Sequence, residues 1–158
     1  MWAFDASSMI YAWDNYPKSQ FPGLWNWLSN EAFLGTIAIP SVAFDEVFHK
    51  TPDCGQWMAE QDISVLHPTT SILLRATDLK EMLGIIGDKY GSGVGENDLI
   101  IIATTEANGF KLVSNEKVQI DLPKALSKFK IPAVCGKKKP PTECVDFLGY
   151  IKQSKAKF

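Results

Sequence analysis

The fold is decided by residues 2–8, WAFDASS. Residues 2–4 have the length and apolar character of a short buried strand, and Asp5 ends it. Ser7 or Ser8 can cap the helix that follows. A strand that gives way at once to a helix is typical of an α/β fold with a parallel sheet.

Short apolar runs continue to alternate with helical patterns along the chain, and no linker divides it. Further strands are predicted over 36–39, 63–66 and 110–113. Helices are predicted over 24–33, with Phe33 facing inward, 42–50, 71–86, with Ile86 facing inward, and 97–108. We therefore expect one domain over residues 1–158, in which 132–158 is basic and partly irregular, with a short helix over 145–152.

The composition predicts a packed core. Apolar residues make up 46% of the chain, aromatic residues 11% and charged residues 22%, which excludes a disordered tail or a low-complexity linker. No apolar run approaches the roughly 20 residues that a transmembrane helix needs, and no secretion signal is recognisable. The three cysteines, without any C-x-x-C, argue against a disulfide framework or a structural zinc site. We expect a reduced, cytoplasmic protein with no membrane segment.

Charge is divided unevenly along the sequence. Residues 1–110 contain 5 basic and 14 acidic residues, whereas residues 111–158 contain 11 basic and 4 acidic residues, so the two parts carry net charges of −9 and +7. The basic part can hold a polyanion. The run Lys137, Lys138 and Lys139 is the densest candidate for such contacts, although lysine runs are also common as ordinary solvated surface.

Four carboxylates occupy similar places in the predicted fold. Asp5 and Glu116 each follow a strand, Glu46 lies on the helix after the second strand, and Asp98 lies in the first turn of a helix. Ligand sites of open parallel sheets lie beyond the carboxyl ends of the strands, so these acids can converge there. Each also has a simpler explanation, as a helix cap, an exposed helix acid, an acid at a helix dipole or a turn residue.

Converging carboxylates favour a bound cation, because close negative charges repel one another unless a cation lies between them. Oxygen ligands suit Mg²⁺ or Mn²⁺ rather than zinc. Such ions activate water and neutralise charge on a leaving oxygen, which makes phosphodiester hydrolysis the chemistry that this pattern predicts.

Four segments together resemble the PIN-domain ribonuclease family, and in particular small prokaryotic PIN proteins, many of which are VapC-type toxins. The segments are FDASS (4–8), PSVAFDEV (40–47), ENDLIIIA (96–103) and GFKLVSNE (109–116). The resemblance covers nearly the whole chain, in the expected order. It implies a three-layer α/β/α sandwich with a central parallel sheet of four or five short strands.

The resemblance also implies roles for individual residues. Asp5, Glu46 and Asp98 match the three central metal-site acids. Glu116 matches a fourth catalytic position, where Asp is commoner. Ser114 matches a hydroxyl residue that holds the first Asp by a hydrogen bond.

Two further residues adjoin this set. Asn115 is a polar neighbour of the site, and Glu96 is an additional acid at its rim.

The reaction implied by the resemblance is endonucleolytic cleavage of single-stranded RNA, such as tRNA or rRNA, with Mg²⁺ or Mn²⁺ and an attacking water. The partners it implies are the RNA substrate, a cognate antitoxin that covers the acidic cleft, and a second copy in a homodimer. Lys137 to Lys139 would contact the RNA, with Trp13, Tyr16 or Trp25 as stacking surfaces. Exposed members of the five tryptophans would supply the dimer interface.

Other functions remain open at this stage. The main alternative is a catalytically inactive PIN fold that binds RNA or protein. A receiver domain normally has paired acids after its first strand, and a haloacid-dehalogenase-type phosphatase has D-x-D, where this chain has Ser7. Residues 91–95, GSGVG, lack the Lys-Ser/Thr of a phosphate-binding loop and are predicted to be an ordinary loop.

Overall fold

Five short strands form one parallel sheet at the centre of the protein, in the order β3-β2-β1-β4-β5. The computed structural model describes residues 1–158. The strands are β1 (Trp2–Phe4), β2 (Ile37–Pro40), β3 (Ser64–Leu66), β4 (Lys111–Val113) and β5 (Cys144–Val145). The helices are α1 (Ala6–Asn15), α2 (Pro22–Phe33), α3 (Ser41–Lys50), α4 (Pro52–Glu60), α5 (Thr70–Met82), α6 (Glu96–Ala107), α7 (Ile131–Lys137) and α8 (Phe147–Ser154). A 3-10 turn at Leu126–Lys128 precedes α7.

The central strand β1 is hydrogen-bonded on both sides. Ala3 pairs with Ala38 of β2 and with Leu112 of β4. Every residue of β2 is buried, as expected for a parallel strand that has helices on both faces. The predicted α/β/α sandwich with a parallel sheet of four or five strands is therefore confirmed, with five strands.

Side-chain caps fix where several helices begin. Of the candidates that the sequence offered, Asp5 rather than Ser7 or Ser8 caps α1, because its Oδ1 accepts a hydrogen bond of 2.9 Å from the Ser8 backbone N–H. Asp146 caps α8 in the same way through Gly149. Asp5 and Asp146 each lie between the end of a strand and the start of the next helix, which places both at the carboxyl edge of the sheet.

Residues 132–158 are more regular than the sequence predicted. They contain most of α7, the edge strand β5 and α8, which lies two residues further along than the predicted helix over 145–152. Pro132 lies in the first turn of α7, where its missing N–H has no partner to lose. None of the helices has the length and apolarity that crossing a membrane requires.

Candidate functional site

Asp5 is the most firmly held of the predicted acids. It is only 3% exposed and accepts hydrogen bonds at both carboxylate oxygens. The Ser7 hydroxyl and the Ser8 N–H donate to Oδ1, at 2.7 and 2.9 Å, and the Ser114 hydroxyl donates to Oδ2 at 2.7 Å. These contacts join the end of β1 to the end of β4 and fix the direction in which the carboxylate points.

Burial raises the pKa of Asp5 to about 6, even though its three donors lower it, and the charge of Glu116 raises it further. A carboxylate in this setting is destabilised by its low-dielectric surroundings and by a like charge. A bound cation would relieve both effects.

Asp98 lies in the first turn of α6 and is fixed by the backbone. Its Oδ2 accepts a hydrogen bond of 2.8 Å from the Gly95 N–H. Burial raises the pKa of Asp98 to about 6, and the charges of Glu116, Asp5 and Glu46 add to the increase. The four acids therefore lie close enough for each of the other three to act on Asp98.

Glu46 lines two hollows at the surface, which together we call the cleft. One, of about 330 Å³, is lined by Glu46 and by residues 95–98, which include Glu96. The other, of about 430 Å³, includes Glu46, Lys50 and Glu116. Lys50 lies one turn after Glu46 and forms an ion pair with it at 2.5 Å. This bond, together with the charges of Asp98 and Glu116, raises the pKa of Lys50.

The segment that leaves β4 completes the cleft. The Asn115 N–H donates to the Ser7 hydroxyl at 2.9 Å, and Asn115 Oδ1 accepts from the Phe147 N–H at 2.9 Å. The Glu116 N–H donates to the Ser114 hydroxyl at 3.2 Å. Glu116 Oε2 is buried and has no hydrogen-bond partner, which is costly for a carboxylate oxygen.

These residues fit a hard divalent cation in their chemistry. The donors are carboxylate oxygens, the orphaned Glu116 Oε2 lacks a partner, and Asp5 and Asp98 retain unused lone pairs. As the side chains stand, however, no three acidic, histidine or cysteine residues are arranged to hold an ion. Binding therefore requires side-chain rotation, and Glu46 must give up or share its bond to Lys50.

The lysine run is only partly exposed, which corrects the prediction for Lys138 alone, since Lys137 and Lys139 are exposed. Lys138 is fully buried and donates to Glu106 Oε2 at 2.6 Å, so it cannot bind RNA. Glu106 lies in the last turn of α6, roughly 12 Å along the helix axis from Asp98. The end of α6 and the end of α7, where Lys137 and Lys139 flank Lys138, both lie before the first residues of a strand, β4 and β5. This is the amino edge of the sheet. The run belongs to the edge opposite the acids.

The predicted aromatic surfaces are also mostly internal. Trp25 and Trp57 are buried and pack against each other with ring centroids 4.7 Å apart. Trp13 packs on both of them. Trp25 therefore cannot stack on RNA, and neither buried tryptophan can supply a dimer interface.

Three residues of the cleft, Ser7, Lys50 and Asp14, had not been predicted as part of it. Ser7 links Asp5 to Asn115, and its place two residues after Asp5 within FDASS is the signal that could have identified it. Lys50 stands at i+4 from Glu46, the spacing of a helical ion pair. Asp14 also lines the wider hollow.

Comparison with solved structures shows what the fold is similar to. A chain of the VapBC2 structure from Rickettsia felis, solved with a DNA fragment from the promoter, matches with a TM-score of 0.54 and 19% identity over 92% of this chain and 97% of the other. PAE2754 from Pyrobaculum aerophilum matches with a TM-score of 0.54 and 13% identity over 99% of this chain and 90% of the other. This chain has a PIN-like α/β fold.

The family is defined by sequence. Residues 2–158 match the model of a domain of unknown function, DUF4411, and the chain belongs to that family. No curated protein matches it.

Proposed function

We propose that the protein is an endoribonuclease dependent on Mg²⁺ or Mn²⁺ that hydrolyses phosphodiester bonds of single-stranded RNA. The observation that carries the proposal is the shared lining of two hollows: Glu46 and Asp98 line one, and Glu46 and Glu116 line the other. The Ser114 hydroxyl bonds both Asp5 and the Glu116 N–H, which joins the fourth acid to this group. Four carboxylates from four separate segments are gathered at the carboxyl edge of a parallel sheet, where α/β proteins bind their ligands.

Asp5 and Asp98 are the proposed principal metal ligands, because both are fixed by hydrogen bonds and both carry an unfavourable buried charge. Once its ion pair with Lys50 is broken, Glu46 would complete the ligand set or orient a water molecule. Glu116 has a buried oxygen without a hydrogen-bond partner and lines the same hollow as Glu46, and we assign it the fourth acidic role.

The surrounding residues have supporting roles. Ser114 and Ser7 hold the Asp5 carboxylate from opposite sides, and Asn115 fixes Ser7. Such outer contacts orient metal ligands and tune their affinity. Glu96 lines the smaller hollow and adds negative charge at its rim.

A bound divalent ion would supply an activated water and neutralise the phosphodiester charge. The chain's own contribution is a pair of carboxylates, Asp5 and Asp98, whose orientation is held by backbone and hydroxyl donors. Reorganisation is then confined to the glutamate side chains, which rotate toward the ion.

The proposal is tested by RNA cleavage with Mn²⁺, using Asp98→Asn and the matched control Asp78→Asn, an exposed acid on α5. We expect Asp98→Asn to lower cleavage at least 100-fold, because it removes a metal ligand, and the control to keep wild-type activity. Full activity of Asp98→Asn would refute its assignment. A wild-type protein that neither cleaves RNA nor binds Mn²⁺ would instead be the inactive PIN-fold binding module.

We further propose that the nuclease is the toxin of a toxin–antitoxin module in the cytoplasm. The support is the fold shared with a VapBC2 chain, together with three cysteines that form no disulfide. An antitoxin would cover the acidic cleft. A homodimer would use exposed apolar side chains such as Leu74 and Ile86 rather than the buried tryptophans, and light scattering at micromolar concentration would detect it.

A further inference from the structure

The long segment after Glu116 holds lysines beside the cleft. Residues 117–130 contain four lysines, Lys117, Lys124, Lys128 and Lys130, against one acid, Asp121. None of the four ammonium groups makes a salt bridge or a side-chain hydrogen bond. In contrast, Lys138 of the lysine run is paired and buried. Residues 117–130 therefore carry positive charge that no acidic side chain of the protein neutralises.

Two contacts fix the segment to the cleft. At its start, Lys117 directly follows Glu116, whose N–H is bonded to Ser114. At its end, the Phe129 carbonyl accepts a hydrogen bond of 2.9 Å from the Val94 N–H. Val94 adjoins Gly95, which in turn donates to Asp98.

A glycine makes this second contact possible. A Cβ added at Gly93 would lie 2.4 Å from the Ser127 carbonyl oxygen and 2.7 Å from that of Phe129. Such contacts are far inside van der Waals distance, so the loop before α6 packs on this segment only because residue 93 has no side chain. The GSGVG loop thus has a structural role in docking residues 127–129.

Gln119 ties the segment to itself. Its side chain donates to the Lys128 carbonyl at 3.0 Å and accepts from the Lys130 N–H at 2.8 Å. One surface hollow of about 440 Å³ is lined by this segment, with two lysines and one acid among its residues: Lys117, Val118, Gln119, Ile120, Asp121 and Lys130. We call residues 117–130 the lysine segment.

Exposed apolar side chains lie among these lysines. Ile120 is 93% exposed and Val118 is 66% exposed. These aliphatic side chains can pack against unstacked bases of a single strand while the neighbouring lysines contact its phosphates.

We propose that the lysine segment is the surface that binds the RNA backbone next to the acidic cleft, with Lys117 and Lys130 as phosphate contacts. The proposal rests on the proposed ribonuclease function. Residues 1–110 carry a net charge of −9 and repel a polyanion, so RNA needs a positive surface within reach of the acids. The segment supplies one that is anchored on both sides of the cleft.

The test compares two charge-matched double variants, Lys117→Gln/Lys130→Gln and Lys137→Gln/Lys139→Gln. The probe is a fluorescein-labelled 20-nucleotide oligouridine, whose anisotropy is measured in EDTA across a series of NaCl concentrations. We expect the first variant to bind roughly 10-fold more weakly and to lower the magnitude of the log–log salt slope by about 1.4, because two phosphate contacts are lost. The second variant removes the same charge at the opposite edge, and we expect wild-type behaviour from it.

A third variant separates apolar contact from charge. Ile120→Ser is expected to weaken binding several-fold without changing the salt slope, since no phosphate contact is lost. A wild-type slope for Lys117→Gln/Lys130→Gln, equal losses in the two double variants, or no oligouridine binding by the wild type at 20 mM NaCl would overturn the proposal. Poly-glutamate serves as a second probe. If Lys117→Gln/Lys130→Gln lost binding of poly-glutamate but kept wild-type binding of oligouridine, the segment would bind an acidic polypeptide instead of RNA.

Because binding is measured without divalent ions, the result is independent of cleavage. If the wild type fails to cleave RNA with Mn²⁺ but the two double variants still differ in binding, the proposed function fails and the binding surface stands. If cleavage requires Asp98 but the salt slopes do not differ, the function stands and the surface is wrong.

Discussion

Ser114 donates a hydrogen bond of 2.7 Å to Asp5 although 109 positions separate the two residues. The bond joins the ends of the neighbouring strands β1 and β4, and the same hydroxyl accepts from the Glu116 N–H. One side chain therefore positions two of the four acids.

We predict that Ser114→Ala weakens Mn²⁺ binding by about 10- to 100-fold, as is typical when the partner of a metal ligand is removed. Isothermal titration calorimetry measures the change. Ser29→Ala is the control, because the Ser29 hydroxyl bonds only to a carbonyl within α2. Wild-type Mn²⁺ affinity in Ser114→Ala would mean that Asp5 does not need this donor to bind metal.

Lys50 holds Glu46 in an ion pair that a metal ion would have to displace. We predict that Lys50→Met increases Mn²⁺ affinity several-fold, because it releases Glu46 and removes a positive charge from the cleft. Calorimetric titration in parallel with Lys152→Met, an exposed lysine of α8, separates this effect from the loss of net charge. Weaker Mn²⁺ binding by Lys50→Met would instead indicate that Lys50 holds Glu46 in its binding position.

The metal-free protein should lose stability as pH rises. The pKa of Asp5 is raised from 3.8 to about 6 on folding, so the folded state holds this proton more tightly than the unfolded state. The stabilisation is complete below pH 4 and is lost as pH rises through 6, by roughly 3 kcal/mol for this one group. Urea unfolding in EDTA measures it.

The pH dependence has its own control variant. Asp5→Asn cannot titrate at this position, so its free energy of unfolding should fall less between pH 4 and pH 7 than that of the wild type. Saturating Mn²⁺ should raise the stability of the wild type at pH 7, because it binds the folded state. A stability that rises steadily from pH 4 to pH 7 in EDTA would contradict the assignment.

An ion network fixes the opposite edge of the fold. Glu106 on α6 bonds both Arg75 on α5 and the buried Lys138 after α7. We predict that Glu106→Gln lowers the free energy of unfolding by about 3 kcal/mol, because it leaves a buried ammonium group without its counter-charge. Mn²⁺ affinity should not change.

Lys138→Met discriminates between charge and packing at this edge. It removes the buried charge and keeps most of the volume, while Glu106 retains Arg75. We therefore expect a smaller loss of stability than for Glu106→Gln in urea unfolding. Equal losses would indicate that packing, rather than the unpaired charge, dominates.

The sequence predicted the parts of the fold that local pattern determines. Buried strands such as residues 2–4 and the helix over 97–108 were recognised because continuous apolar runs have few alternative structures. Inward faces were less predictable. Phe33 and Ile86, expected inside, are 85% and 77% exposed, because each lies at or beyond the end of its helix, where periodicity no longer fixes direction.

The sequence indicated that the acids would meet at one edge of the sheet, but it did not indicate where the lysines lie. Asp5, Glu46, Asp98 and Glu116 follow from strand ends and family resemblance, whereas the placement of lysines depends on tertiary contacts. The sequence predicts that Lys138 is exposed to solvent, yet it is buried and paired with Glu106. The position of residues 117–130 depends on the contacts of Gly93 and Gln119 with residues 127–129. These contacts involve irregular segments, so hydrophobic periodicity in the sequence could not predict them.

The most direct test of the account is a crystal structure of the protein soaked in MnCl₂, with the ion located by anomalous scattering. We predict a peak between Asp5 and Asp98, within roughly 2.0–2.5 Å of an oxygen of each, with Glu46 or Glu116 in contact directly or through water. An empty cleft in crystals that bind Mn²⁺ elsewhere, or a peak that touches neither Asp5 nor Asp98, would contradict it.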